Sequence, residues 1–81
     1  MPHVNVKHFP LDVDEETRAR LVRNVTEAVA DALDCDPKFV SIALEPVPER
    51  EWQSQVYDPE ITGKRDLLIR RPGYGAESTT G

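Results

Sequence analysis

Residues 2–8 alternate strictly. Pro2, Val4, Val6 and His8 share one face of an extended chain; His3, Asn5 and Lys7 share the other with Phe9. A period of two is that of a strand, which predicts a first strand over 2–8. Proline cannot donate to a strand ladder, and a strand's first position is where it is tolerated. The run "PLDVDEE" then stops this strand and opens a helix. Asp12 stands three residues before Glu15, the spacing of a capping box, and Asp14 is a second candidate N-cap. Beyond them Leu21, Val25, Ala28, Val29 and Ala32 recur at helical spacing. Val22 and Leu33 widen that stripe, and Arg18, Arg20, Arg23, Glu27 and Asp31 flank it. The pattern predicts a helix over 14–33.

The run "DCDPKF" ends this helix, because Pro37 drives Asp36 out of the helical region. In "VSIALE", Val40, Ile42 and Leu44 fall on one face and Ser41, Ala43 and Glu45 on the other, a second strand. Strand, long helix, strand is a β-α-β unit, whose strands run parallel with a right-handed crossover. Pro48 in "PVPEREW" suits the first turn of a short helix. A further helix is predicted over 58–71, with Asp58 as its cap, Pro59 at its first position, and Arg70 and Arg71 near the negative end of its dipole. Gly63 weakens that helix by roughly 1 kcal/mol relative to alanine. "PGYG" stops it, and 75–81 reads as a flexible tail. The domain proper is 1–74.

Size changes the picture. A chain of 81 residues is one domain at most, and one this short buries only about 60% of the surface its unfolded form exposes. Cys35 is the single cysteine, so no disulfide reinforces the core. Oligomerisation is the remaining support. Two strands and one helix leave a sheet face and two edges uncovered, and about three or more strands are needed for independent stability. A second copy is the simplest cover.

Charge and candidate chemistry narrow the function. Fifteen acidic residues against ten basic give a net −5, the wrong sign for nucleic acid. No apolar run is long enough for a membrane span or a signal-peptide core, and a lone cysteine without an export signal points to the cytoplasm. No glycine-rich phosphate loop is present, so no nucleotide cofactor is expected. His3 and His8 fall on opposite strand faces and cannot share a metal. Carboxylates on both sides of Cys35 make it a poor nucleophile. Ser41 has no paired His or Asp in the sequence, and reads as a hydrogen-bond donor rather than an activated nucleophile.

The residues "MPHVNVKHFP", the "DEE" opening the helix, "SIALE", Trp52 and the ending "RRPGY" together resemble the 4-oxalocrotonate tautomerase family, in its small dimeric branch. The likeness covers 1–74. It implies an α+β fold, a β-α-β tautomerase subunit whose parallel strands are completed to a four-stranded sheet in a homodimer, with a hexamer less expected in this branch. It also implies a cofactor-independent keto–enol tautomerase acting on a small enol or keto acid, with Pro2 as its catalytic base once Met1 is removed. Loss of Met1 turns the Pro2 nitrogen into a secondary amine. An α-amino group has an ordinary pKa of roughly 7.7–8.0. Shelter from water lowers it, toward the pH at which a general base works best. Family members that act on dicarboxylates use two arginines; Asp12 and Ser41 stand at the matching positions here. The resemblance therefore favours an aryl pyruvate or another monocarboxylate enol over a dicarboxylate. Trp52 matches the family's aromatic wall, and Ser41 and His3 are candidate substrate contacts. Arg70, Arg71 or a neighbouring copy's Arg50 are further sources of positive charge. Two rivals stand beside this reading. One is a hydratase or dehalogenase on the same scaffold, with Pro2 as general acid and Glu45 activating water. The other is a non-catalytic dimer module with a degenerate site.

Overall fold

Asp14 opens the longest element. Its backbone is extended (φ −71°, ψ 169°) and its carboxylate accepts the Thr17 backbone N–H at 2.7 Å, which is N-cap geometry. The cap is thus the second of the two predicted candidates. Helix α1 runs Glu15–Leu33, with Glu15 and Glu16 in its first turn, beside the positive end of the dipole. It ends at Asp34, the one non-glycine residue in left-handed conformation (φ 51°, ψ 56°) among the described residues. The Asp34 N–H bonds the carbonyls of Ala30 and Asp31, and the Cys35 N–H reaches Ala30 O at 3.1 Å, so these two carbonyls of the last turn are satisfied. The structure, a computed structural model, describes residues 1–78.

The chain forms two units, Met1–Pro46 and Val47–Gly81. The first holds β1 (His3–His8), α1, a 3-10 turn at Pro37–Phe39, and β2 (Ser41–Pro46). The strands are parallel, in a register that sets His3 opposite Ser41, Val4 opposite Ile42, Val6 opposite Leu44 and Lys7 opposite Glu45. Pro2 lies just ahead of β1 but is tied to the ladder, because its carbonyl accepts the Ser41 N–H at 3.1 Å. The predicted β-α-β unit is present.

The two faces of this sheet differ in kind. Val4, Val6, Ile42 and Leu44 share one face and are half-buried. The opposite face carries His3, Asn5, Ser41 and Glu45, all exposed. Cross-strand side chains bond each other there: Asn5 Nδ2 donates to Glu45 Oε1 at 3.0 Å. A polar, internally bonded face of this kind is compatible with contact with water. The stripe on α1 also differs from the predicted one. Leu21, Val25, Thr26 and Val29 are half-buried and Ala30 is buried, whereas Val22, Ala28, Ala32 and Leu33 are exposed. The covered stripe is two adjacent rows at i, i+4 spacing, because a sheet two strands wide shields only a narrow strip of helix.

The second unit is organised around Val47, Val56 and Tyr57, which are buried. A 3-10 turn at Glu49–Glu51 leads into a π-helix, Gln53–Thr62. This corrects the helix predicted over 58–71. The element starts earlier, and Pro59 lies inside it rather than at its first position. Proline near an acidic cap normally marks a first turn; a π-helical turn, closing i→i+5, carries it in the interior here. The closing bond runs from the Gly63 N–H to Asp58 O at 2.8 Å. A Cβ at Gly63 would stand 2.6 Å from Pro59 O and 3.0 Å from Asp58 O, so the glycine is required by close approach and does not weaken the element. After a 3-10 turn at Arg65–Leu67, Leu68 is extended (φ −70°, ψ 123°), so Arg70 and Arg71 do not cap a helix. Of the segment expected as a tail, Ala76–Ser78 form a 3-10 turn in which Glu77 is buried; 79–81 lie outside the described residues. Among the described residues, no helix is long and apolar enough to cross a membrane.

Candidate active site

Pro2 stands at the mouth of the parallel pair. It is half-buried, and the Ser41–Pro2 backbone bond fixes it against the first residue of β2. The parallel register then brings its neighbour His3 beside Ser41. His3 Nδ1 and Ser41 Oγ are hydrogen-bonded at 2.6 Å. Three of the residues singled out from the sequence are thus adjacent, which nothing short of the strand register reveals. The reading of Ser41 as lacking a histidine partner is corrected. Both side chains of the pair are exposed, so their polar atoms are open to a small anion or a carbonyl oxygen. An imidazole and a hydroxyl offer donors that reorient readily, unlike the fixed fork of a guanidinium.

Two other polar side chains of β1, Asn5 and His8, have defined partners. Glu45 is held by Asn5, which leaves this carboxylate engaged in a cross-strand bond. His8 Nδ1 is bonded with Phe9 O at 2.7 Å, on the far face from His3. Cys35 is a free thiol, half-buried. Among the described residues, no group of three or more His, Cys, Asp or Glu side chains could hold a metal ion. Met1 is almost fully exposed, at 94%.

Trp52 belongs to the second unit, where it directly precedes the π-helix and is half-buried. Its indole N–H donates to the Tyr74 hydroxyl at 2.8 Å. Tyr74 in turn packs on Tyr57, with ring centroids 5.3 Å apart and planes tilted by 57°, a favourable tilted arrangement. The Tyr57 hydroxyl donates to Tyr74 O at 3.1 Å and accepts the Glu77 N–H at 2.8 Å. Arg71, a candidate cation, lies 3.5 Å from the Glu77 carboxylate and also donates to the Glu77 carbonyl at 3.3 Å. Tyr57 and Tyr74 are the residues that sequence reasoning passed over. The signals for them were that three of the chain's five aromatic residues lie at 52, 57 and 74, and that Tyr74 closes the "RRPGY" ending.

Residues 2–58 match the family described as "Tautomerase enzyme". Among individual proteins, the chain is 39% identical over 74 residues to "Tautomerase PptA" of Enterobacter sp. (strain 638), covering 91% of this chain and 97% of that protein. The protein of the same name from Cronobacter sakazakii is 38% identical over the same shares of the two chains. That from Escherichia coli O157:H7 is 35% identical, again over 91% of this chain and 97% of the relative. The chain therefore belongs to the tautomerase family and is an isomerase of the tautomerase type.

Proposed function

We propose that this protein is a cofactor-independent keto–enol tautomerase in which Pro2, freed by loss of Met1, is the general base. Its substrate is an aryl pyruvate or another monocarboxylate enol. The neutral ring nitrogen takes the enol O–H proton. The oxygen's electron pair re-forms the carbonyl, and the C=C electron pair takes the proton from the Pro2 ammonium at carbon. The amine is neutral again at the end of the cycle. His3 and Ser41 hold the substrate's carboxylate or its developing enolate oxygen, where donors lower the barrier. Trp52 offers a flat apolar surface to an aromatic ring.

The observation that carries this reading is the adjacency of Pro2, His3 and Ser41, joined by the 3.1 Å backbone bond and the 2.6 Å side-chain bond. The exposure of Met1 (94%) supports its access to an aminopeptidase. The pairing of Glu45 with Asn5 weighs against a hydratase that would use Glu45 on water. Uncharged or acidic residues at 41 and 12 favour a one-carboxylate substrate; they also suit the degenerate-site alternative, which the same assay separates.

We further propose a homodimer working in the cytoplasm. Phe9, Leu11, Val22, Leu33, Phe39, Leu67 and Ile69 are exposed apolar side chains, and both edges of the two-stranded sheet lack a strand neighbour among the described residues. The polar open face supports a dimer joined at its edges over a larger assembly stacked through that face. A lone free Cys35 suits a reducing compartment.

The test is the ketonisation of phenylenolpyruvate, followed by loss of enol absorbance, with Met1 removal verified by intact mass. Pro2→Ala should lower kcat/KM by about 100-fold or more, the scale of general-base catalysis. Full activity in Pro2→Ala would overturn the proposal.

A further inference from the structure

We propose that Tyr74 is a positioning residue for Trp52, and that residues 74–77 form a strap that sets the indole's orientation toward an aromatic substrate. This rests on the reading of Trp52 as a substrate surface. An indole ring offers a single polar atom, its N–H, so a directional bond there pins the ring edge that carries it and narrows the orientations of the flat face. Tyr74 supplies that bond at 2.8 Å.

Tyr74 is itself held by the strap. Its carbonyl accepts the Tyr57 hydroxyl, its ring packs on Tyr57, and three residues on, the Glu77 N–H returns to that same hydroxyl. Arg71 joins the strap from the other side through the buried Glu77. Tyr57, which organises these contacts, is 4% exposed, so the strap is anchored on a buried residue of the unit. Gly75 makes the close approach feasible: it is left-handed (φ 75°), and a Cβ there would collide with the Tyr57 hydroxyl. The chain spends a buried glutamate, a buried phenol and a left-handed glycine on holding Tyr74, which is itself 48% exposed. That investment is explained by what the Tyr74 hydroxyl holds in turn.

Trp52 is the only tryptophan in the chain, so its fluorescence and its indole N–H resonance report on this bond without ambiguity. In the full-length, Met1-processed protein, the indole N–H should exchange with solvent more slowly than a free indole. Tyr74→Phe should lower the fluorescence anisotropy of Trp52 and raise KM for phenylenolpyruvate about three- to tenfold, the worth of one hydrogen bond, with kcat within about twofold. In a Trp52→Ala background, Tyr74→Phe should change KM no further. An unprotected indole N–H in the parent would overturn the proposal, as would unchanged anisotropy and KM in Tyr74→Phe. An equal KM increase in the Trp52→Ala background would overturn it too. If Trp52→Ala alone leaves KM at the parent value, the substrate role of Trp52 falls and the positioning role falls with it. Pro2-dependent turnover, measured in the same assay, is unaffected by either result.

Discussion

His3 Nδ1 and Ser41 Oγ lie 2.6 Å apart although 38 positions separate them in the chain. The contact is a product of the parallel register, which pairs the first residue of β1 with the first residue of β2. It joins the side chain next to Pro2 in the chain to that of Ser41, whose backbone N–H bonds the Pro2 carbonyl. Removing the hydroxyl should therefore weaken turnover without unfolding the protein. Ser41→Ala is expected to lower kcat/KM about fivefold, in line with one hydrogen bond, while the thermal midpoint moves little because the pair is exposed. Steady-state kinetics and a melting curve on the same sample check both halves. Ser41→Arg should shift preference toward dicarboxylate enols, read as the ratio of kcat/KM values for the two substrate classes.

The N-cap predicts a pH dependence of stability. The backbone N–H of Thr17, followed by its side chain, bonds the Asp14 carboxylate and holds its pKa below the ordinary carboxylate value. Because the folded pKa is the lower of the two, the cap's charged contribution is fully present above the unfolded value. It is lost as the pH falls through the folded one. The melting temperatures of the parent and Asp14→Ala should differ most above about pH 5 and converge in acid. A gap that stays constant into acid would show that the cap acts without its charge.

Gly63 gives a reversal of the usual helix rule. Alanine is the better helix former, yet a Cβ at this site would sit 2.6 Å from Pro59 O. Gly63→Ala should destabilise the protein by about 1–3 kcal/mol, the range for overpacking, measured by urea unfolding.

The proposed dimer is tested by sedimentation. The protein should sediment at twice its 9.1 kDa chain mass, with a melting temperature that rises with protein concentration. A monomer at micromolar concentration, or a hexamer, would contradict it.

The first unit was legible because its signals are local. Alternation at Val4–Val6 and Ile42–Leu44 and the recurrence of Leu21, Val25 and Val29 each report one element's own burial. What the sequence could not show was the register between the strands, and with it the His3–Ser41 contact. Ala30 was missed for a related reason: which row of α1 is covered depends on how the helix sits in the assembled unit. The second unit was read least well. Asp58–Pro59 carries an ordinary helix-start signature, and only the i→i+5 bond from Gly63 to Asp58 reveals the wider turn. The Trp52–Tyr74 bond spans 22 positions of mostly irregular chain, where no periodicity points from one residue to the other. The candidacy of Pro2 rests on its type and position, whereas its tie to Ser41 depends on the register.

Everything proposed for catalysis depends on the state of one nitrogen. A 15N NMR titration of Pro2 in the Met1-processed protein reads it directly. The account predicts a single titration with a midpoint below the ordinary α-amino range of roughly 7.7–8.0, matched by the rise of kcat/KM with pH. A nitrogen that shows no titration between about pH 5 and 10, or one that titrates above that range while the enzyme is already active, would contradict it.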